Sequence, residues 1–238
     1  MQQKLYVCGS WATNDTNLFS MDPTTFTLSK IGVITSTLFG VAGLSFADEA
    51  LYSIGIPQSG AKQLLKIDPN TGVGTFIQDM DIGVAQSLSV KADTVYYISQ
   101  NVSDSTYNLV SISLANKSQN LIGSLGSTIS SVGGTFFDSN GVLFALVTVA
   151  DKEYPSNNGT YLAPIDLQTG LANITALPFN GASAPTAASL VAFTRFGSNL
   201  YGVDSQSNFY NLFAPAGTLS VQGQIPSQMI SGIAARNE

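Results

Sequence analysis

The chain has 238 residues, with nine Lys or Arg against fifteen Asp or Glu, no His and a single Cys, for a formal charge of -6. These counts exclude a Ser-His-Asp or Cys-His catalytic unit, a histidine zinc site, an intrachain disulfide and a multi-cysteine metal cluster. The cations are scattered singly, so there is no basic stripe for nucleic acid or for an anionic membrane surface.

Charged residues make up 10% of the chain, against about a quarter in ordinary globular proteins. Ser, Thr, Asn, Gln and Gly take their place, so solubility rests on hydroxyls and amides. No apolar run approaches the roughly 20 residues that span a bilayer, and membrane insertion is not expected. Met1-Gln2-Gln3-Lys4 leads directly into Leu5-Tyr6-Val7. That start fits a mature secreted protein whose leader has been removed, and equally a cytoplasmic one.

From the amino terminus, short runs alternate apolar and polar residues between turn formers, the period of strands, with no competing helical stretch. A Leu-Tyr strand at Leu5-Tyr6 recurs as Leu51-Tyr52, Val95-Tyr96, Leu143-Phe144 and Leu200-Tyr201. The strand after it recurs as Phe19-Ser20-Met21-Asp22-Pro23, Leu65-Lys66-Ile67-Asp68-Pro69, Val110-Ser111-Ile112-Ser113-Leu114, Ala163-Pro164-Ile165-Asp166-Leu167 and Asn211-Leu212-Phe213-Ala214-Pro215. Asp68-Pro69-Asn70-Thr71-Gly72 explains its own turn: Asp bonds backbone ahead, Pro presets φ and Gly supplies a positive φ. Five copies of a four-strand unit predict an all-β fold over residues 1–238, a single five-bladed β-propeller with four antiparallel strands per blade. The first unit starts at its second strand and the last ends on an unpartnered first strand, Ser231-Gly232-Ile233-Ala234-Ala235. The expectation is a ring closed by the carboxyl-terminal strand in the amino-terminal blade.

The unit Gly43-Leu44-Ser45-Phe46, Leu51-Tyr52 and Leu64 to Gly72 resembles the secreted propeller repeats that read Gly-Leu-x-Phe, Leu-Tyr and Leu-x-x-Ile-Asp-Pro-x-Thr-Gly. The resemblance is closest over residues 43 to 77 and covers nearly the whole chain in weakened form. It implies the fold, which serves lectins, hydrolases, lactonases, quinoproteins and scaffolds alike. Five blades are also similar to the sugar-binding tachylectin propeller and to five-bladed glycosidases. The resemblance implies innermost strands around a channel, beginning near Gly43, Ser87, Gly134, Ser189 and Gly232, where small residues relieve crowding.

Variable loops on a fixed scaffold are where binding resides. Trp11, Tyr107 and Tyr154 are expected to stack on a ligand, with Gln58, Asn108 and Asn208 hydrogen-bonding it, a composition that suits a glycan. The carboxylates available for paired acid chemistry are Asp48, Glu49, Asp79, Asp81, Asp93, Asp138 and Asp204. Asp48, Asp93 and Asp138 recur at one turn, a structural pattern, and the inner strands carry no acid. Asp79-Met80-Asp81 supplies too few oxygens for calcium, and no metal or other cofactor is expected. Five sequons make Asn14, Asn101, Asn116, Asn158 and Asn173 candidate glycosylation sites. Cys8, inside an apolar strand, is expected to be a buried small hydrophobe. The expected function is recognition at a secreted or cell-surface location, with a glycan or protein surface as partner. The alternatives are a subunit of a surface layer or filament, and a carboxylate-dependent glycoside hydrolase or lyase.

Overall fold

The computed structural model describes residues 4–10, 15–35, 38, 40–154, 156, 158–174, 190–197, 199–204, 206, 208–213, 218–224 and 229–236. They form five small antiparallel sheets in a ring. Blade 1 joins β19 (Met229–Arg236), β1 (Lys4–Ser10), β2 (Thr16–Met21) and β3 (Leu28–Thr35) in that order from the centre. Blade 2 is β4 (Gly40–Ala47), β5 (Ala50–Ile56), β6 (Lys62–Ile67) and β7 (Gly74–Met80). Blade 3 is β8 (Val84–Lys91), β9 (Thr94–Gln100), β10 (Tyr107–Ser113) and β11 (Gln119–Ser124). Blade 4 shows three strands among the described residues, β12 (Ile129–Phe137), β13 (Leu143–Val149) and β14 (Gly159–Ile165), with one further bridge from Ile165 to Ala172. Blade 5 is β15 (Leu190–Phe196), β16 (Asn199–Asp204), β17 (Asn208–Phe213) and β18 (Thr218–Gln224).

The ring closes as expected, with β19 pairing β1 from Lys4 against Arg236 to Ser10 against Met229. The closing strand is then locked to blade 2. The Arg236 guanidinium lies 2.7 Å from both Glu49 carboxylate oxygens and sits over the Phe46 ring, on which Tyr6 stacks.

The core is divided among the seams between blades. Five apolar clusters fill five seams, for example Tyr52, Ile54, Leu64 and Met80 of blade 2 against Leu88, Val90, Val95 and Tyr97 of blade 3. The second strands are therefore buried on both sides, which is why Leu51, Ser53 and Ile54 are all inaccessible. Leu-Tyr in each copy sends Leu into one seam and Tyr into the next, because neighbouring strand residues face opposite ways.

Four of the inner strands begin a few residues before the small residues expected to open them, and Ser189 lies outside the described residues. Gly43, Gly134 and Gly232 mark the level where neighbouring strands meet. A Cβ on Gly232 would lie 2.6 Å from the Cys8 sulfur and 2.8 Å from the Gly43 carbonyl carbon, and one on Gly134 would lie 2.6 Å from the Phe193 ring. At this level every inner strand slips register by a residue or more against its neighbour, between Ala42 and Ser45, Ala85 and Ser87, Val132 and Gly134, Leu190 and Ala192, and opposite Cys8 and Gly9. Bulges of this kind bend and twist a strand, and here they bring five backbones together at one height. Hydroxyls bridge the same level: Ser89 donates to Thr135 at 2.9 Å, and the Val90 amide donates to Ser45 at 3.0 Å.

The outer strands carry a second repeated bulge, at Ile31, Ile77, Ile122 and Gln222. The residue after it meets the next blade's turn, Gly32 against Thr71 and Gly72, and Gly123 against Thr169 and Gly170. Gly72 and Gly170 adopt φ of 78° and 82°, as the turn reading required, whereas Phe26 and Lys117 take the equivalent conformation without being glycine. Where blade 2 presents Gln78 instead of glycine, the Gln119 amide bridges the joint, donating to the Asp79 carbonyl at 2.9 Å and accepting from the Asp81 amide at 3.2 Å.

Because Gly232 approaches blade 2 through its missing side chain, Gly232→Val is expected to destabilise the ring by about 3 kcal/mol, the upper end of overpacking costs. Urea unfolding measures this, and an unchanged midpoint would mean that blades 1 and 2 do not meet there.

Candidate functional site

The second strands end and the third strands begin on one side of the ring, called here the loop side: at Ser10 and Thr16, Ile56 and Lys62, Gln100 and Tyr107, Val149 and Gly159, and Asp204 and Asn208. The hairpin turns from first to second strand, at Asp48-Glu49, Ala92-Asp93 and residues 138–142, lie on the opposite, turn side. Asp138 does hold backbone amides, those of Asn140 at 3.0 Å and Val142 at 2.7 Å. Asp48 and Glu49 instead close their turn by adopting positive φ, 47° and 61°.

Internal carboxylate and amide contacts brace the loops. In blade 3 the Asn101 Oδ1 accepts from the Ser103 amide at 3.1 Å and hydroxyl at 2.8 Å, and Asp104 holds Thr106 in the same way at 2.9 and 2.7 Å. The loop tip carries Val102, which is 77% exposed. In blade 4, Asp151 accepts from the amides of Glu153 and Tyr154 at 2.9 Å each, and Asn158 caps the Asp151 amide. This leaves the Tyr154 ring 57% exposed.

Of the residues expected to contact a ligand, Gln58 is exposed at the tip of the blade 2 loop and Asn108 is half-buried on β10. Tyr154 is presented outward, and Trp11 lies outside the described residues. Tyr107 is not presented. It is the first residue of β10, pairs with Gln100 and packs into the seam with blade 4 beside Leu109 and Ile129. Its hydroxyl reaches the Ser130 carbonyl at 3.4 Å. Asn208 is engaged as well, since its side-chain amide donates to Asp204 at 2.8 Å.

Asp204, expected only as one of the carboxylates available for acid chemistry, is a buried polar centre. It is buried at the loop-side end of β16, where Oδ1 accepts from the backbone amides of Gln206 and Asn208 at 2.8 Å. Oδ2 accepts from the Asn208 side chain at 2.8 Å and from the Tyr210 hydroxyl at 2.7 Å. Burial opposes ionisation of Asp204, but these side-chain and backbone donors prevail and hold its carboxyl below the usual carboxylate range. Burial, with Asp204 alongside, pushes the Tyr210 phenol up to about 12. All four contacts of Asp204 are local, so it shapes the blade 5 loop. In the sequence the signal was Asp204 followed at short range by Gln206, Asn208 and Tyr210.

Lys62 is a group to which sequence reasoning gave no role. Its ammonium crosses from blade 2 to the Ala85 carbonyl of blade 3, and burial pulls its pKa down. Cys8 is fully buried, and burial pushes its thiol up to about 12, which suits the inert small hydrophobe expected.

Among the sequons, Asn14 lies outside the described residues. Asn116 is exposed in the turn before β11 and binds the Ser118 amide and hydroxyl at 3.0 and 2.8 Å, as Asn101 binds Ser103. Asn158 is exposed, and so is Asn173, whose backbone amide donates to the Pro164 carbonyl at 2.9 Å. Among the described residues no cluster of three or more His, Cys, Asp or Glu could hold a metal ion, and no helix is long and apolar enough to cross a membrane.

No protein-family model and no curated protein matches this sequence. Its architecture does have counterparts among solved structures. A chain of the nidogen/laminin complex is similar over 98% of both chains, with a TM-score of 0.59 and 12% identity. A Bacteroides thetaiotaomicron protein of unknown function is similar over 92% of this chain and 50% of its own, with a TM-score of 0.52 and 15% identity. A Lactobacillus plantarum protein is similar over 93% of this chain and 67% of its own, with a TM-score of 0.50 and 14% identity. At such identities the likeness establishes the fold alone, a five-bladed propeller here.

Asp204 has a folded pKa below its unfolded value of about 3.9, so its stabilisation is present above that pH and is lost as pH falls through the folded value. Melting temperature followed from pH 6 to pH 2 should therefore drop more steeply in the parent than in Asp204→Asn. The variant itself should lose about 1–3 kcal/mol at neutral pH, the usual cost of breaking hydrogen bonds to a buried charge. Tyr210, with a raised folded pKa, contributes stability that is complete below about pH 10 and is lost as pH rises toward 12.

Proposed function

We propose that the chain is a secreted or surface-exposed recognition module that engages a glycan through its loop side. The observation that supports this reading most is that loops of differing length project from one side of the ring, those of blades 3 and 4 braced by their own hydrogen bonds. Their surfaces are amides and hydroxyls with an outward-facing Tyr154 ring, and hydroxylated sugars are held by that combination. Braced loops need little ordering on binding, which lowers the entropic cost of recognition. Binding to immobilised glycans tests the reading. Tyr154→Ala and Trp11→Ala should each weaken the interaction about tenfold, the effect of removing an aromatic anchor of about 1.4 kcal/mol. Unchanged binding by both variants would remove the glycan from the loop side.

A second reading, a protein surface as partner, is favoured by the exposed Val102 tip on the loop of the blade next to Tyr154. It is compatible with the occurrence of a similar fold in a protein–protein complex. Val102→Asp should abolish a protein interaction and leave glycan binding intact.

A further inference from the structure

Two open grooves, of about 560 and 490 Å³, lie at the strand ends and turns of blades 1 and 2, away from the loops. They are one groove formed twice. Met21, Asp22 and Pro23 in the first stand at the repeat positions of Ile67, Asp68 and Pro69 in the second, and Thr25 and Ser29 at those of Thr71 and Thr75.

Each groove contains one lysine, delivered from a different strand, Lys4 on β1 and Lys66 on β6. Both side chains are exposed and neither ammonium has a partner among the described residues. The fold does not explain them. Blade 4 builds the same turn on Asp166, with the Gln168 amide 2.7 Å from its carboxylate and the Gly170 amide 2.8 Å from its carbonyl, yet it has neither the proline nor a lysine at either position. The turn thus needs only its aspartate. Proline and lysine occur together in the two blades that form these grooves, although the chain has only nine cationic residues.

The chemistry of each groove is balanced. Oδ1 of Asp22 is fixed by the Thr24 amide at 2.7 Å and Oδ1 of Asp68 by the Asn70 amide at 2.8 Å, so an exposed acceptor is held in place. An ammonium faces the same space, hydroxyls of Thr25 and Ser29 or of Thr71 and Thr75 line it, and half-buried Pro23 in the first groove and exposed Val73 in the second supply apolar surface. Lysine and turn aspartate cancel in charge, Glu49 at the second groove is paired with Arg236, and the chain as a whole repels polyanions. A ring with hydroxyls on its edge and C–H groups on its face satisfies all of these groups.

We propose that the two grooves are twin subsites for pyranose units of one neutral glycan chain, lying across the neighbouring blades 1 and 2. This rests on the reading of the protein as a glycan-recognition module but assigns a site distinct from the loop side. One groove so exposed binds weakly, and two served by a single ligand bind far more tightly through effective concentration.

The test is amide-resolved NMR of the full chain titrated with linear neutral hexose hexamers, α- and β-linked, and with the matching monosaccharides. The expected result is shifts at Thr27, Ser29, Thr71 and Thr75, with one hexamer at least tenfold tighter than its monosaccharide. Lys4→Ala and Lys66→Ala should each weaken the hexamer and together remove its advantage, while Tyr154→Ala leaves these shifts intact. Shifts confined to the loop side would overturn the groove assignment and leave loop-side recognition standing. Absence of shifts anywhere, or full hexamer affinity in the double lysine variant, would overturn the assignment as well.

Discussion

Every part of this protein depends on one packing constraint: a four-stranded sheet with two apolar faces has to be covered on both. A single blade cannot do that, and an open row of blades would leave two faces wet. Closing the ring gives each sheet two neighbours and turns five weak units into one cooperative structure. The price is crowding at the centre. It is relieved by glycine at Gly43, Gly134 and Gly232 and by a register slip at the same height in all five inner strands.

With the seams sealed by apolar residues, polar groups are left to define the connections. One device recurs throughout, a side-chain oxygen that accepts the backbone amide two residues ahead. It appears at Asp22, Asp68, Asn101, Asp104, Asn116, Asp138, Asp166 and Asp204. This accounts for much of the small stock of acids. It also gives Asn101-x-Ser103 and Asn116-x-Ser118 a folding role of their own, because Asp104-x-Thr106 makes the same pair of bonds with a residue that no sugar is attached to. Loops held in this way keep their shape without a ligand.

The repeat made the ring legible, because Leu-Tyr and Ile-Asp-Pro recur wherever the seams impose the same demands. The ring closure was readable from the incomplete first and last units. Tyr107 was harder to place. It stands beside a polar loop, yet it alternates with Leu109 and so shares that residue's face and seam. Asn208 was read as a free amide although the short-range run Asp204, Gln206, Asn208 and Tyr210 stood in the sequence, because the spacing alone does not say that Asp204 turns inward and claims it. The grooves of blades 1 and 2 were hidden for another reason: the lysine reaches them from different strands, so an aligned repeat shows no matching cation. Composition located the chemistry on the surface, but only the pairing of strands determined which groups are spent and which remain available.

The outer joints carry information of a different kind. Gly32 meets Gly72 and Gly123 meets Gly170 with no side chain on either partner, whereas at the blade 2 to blade 3 joint Gln119, just after the turn at Lys117, bridges to Asp79 and Asp81. Each joint is thus specific to its two blades, and a bulky residue on one partner requires a compensating change on the other. Such joints act as an address, fixing which blade follows which. A lineage that grew by copying a single unit would have lost the freedom to shuffle or add blades once these pairs diverged.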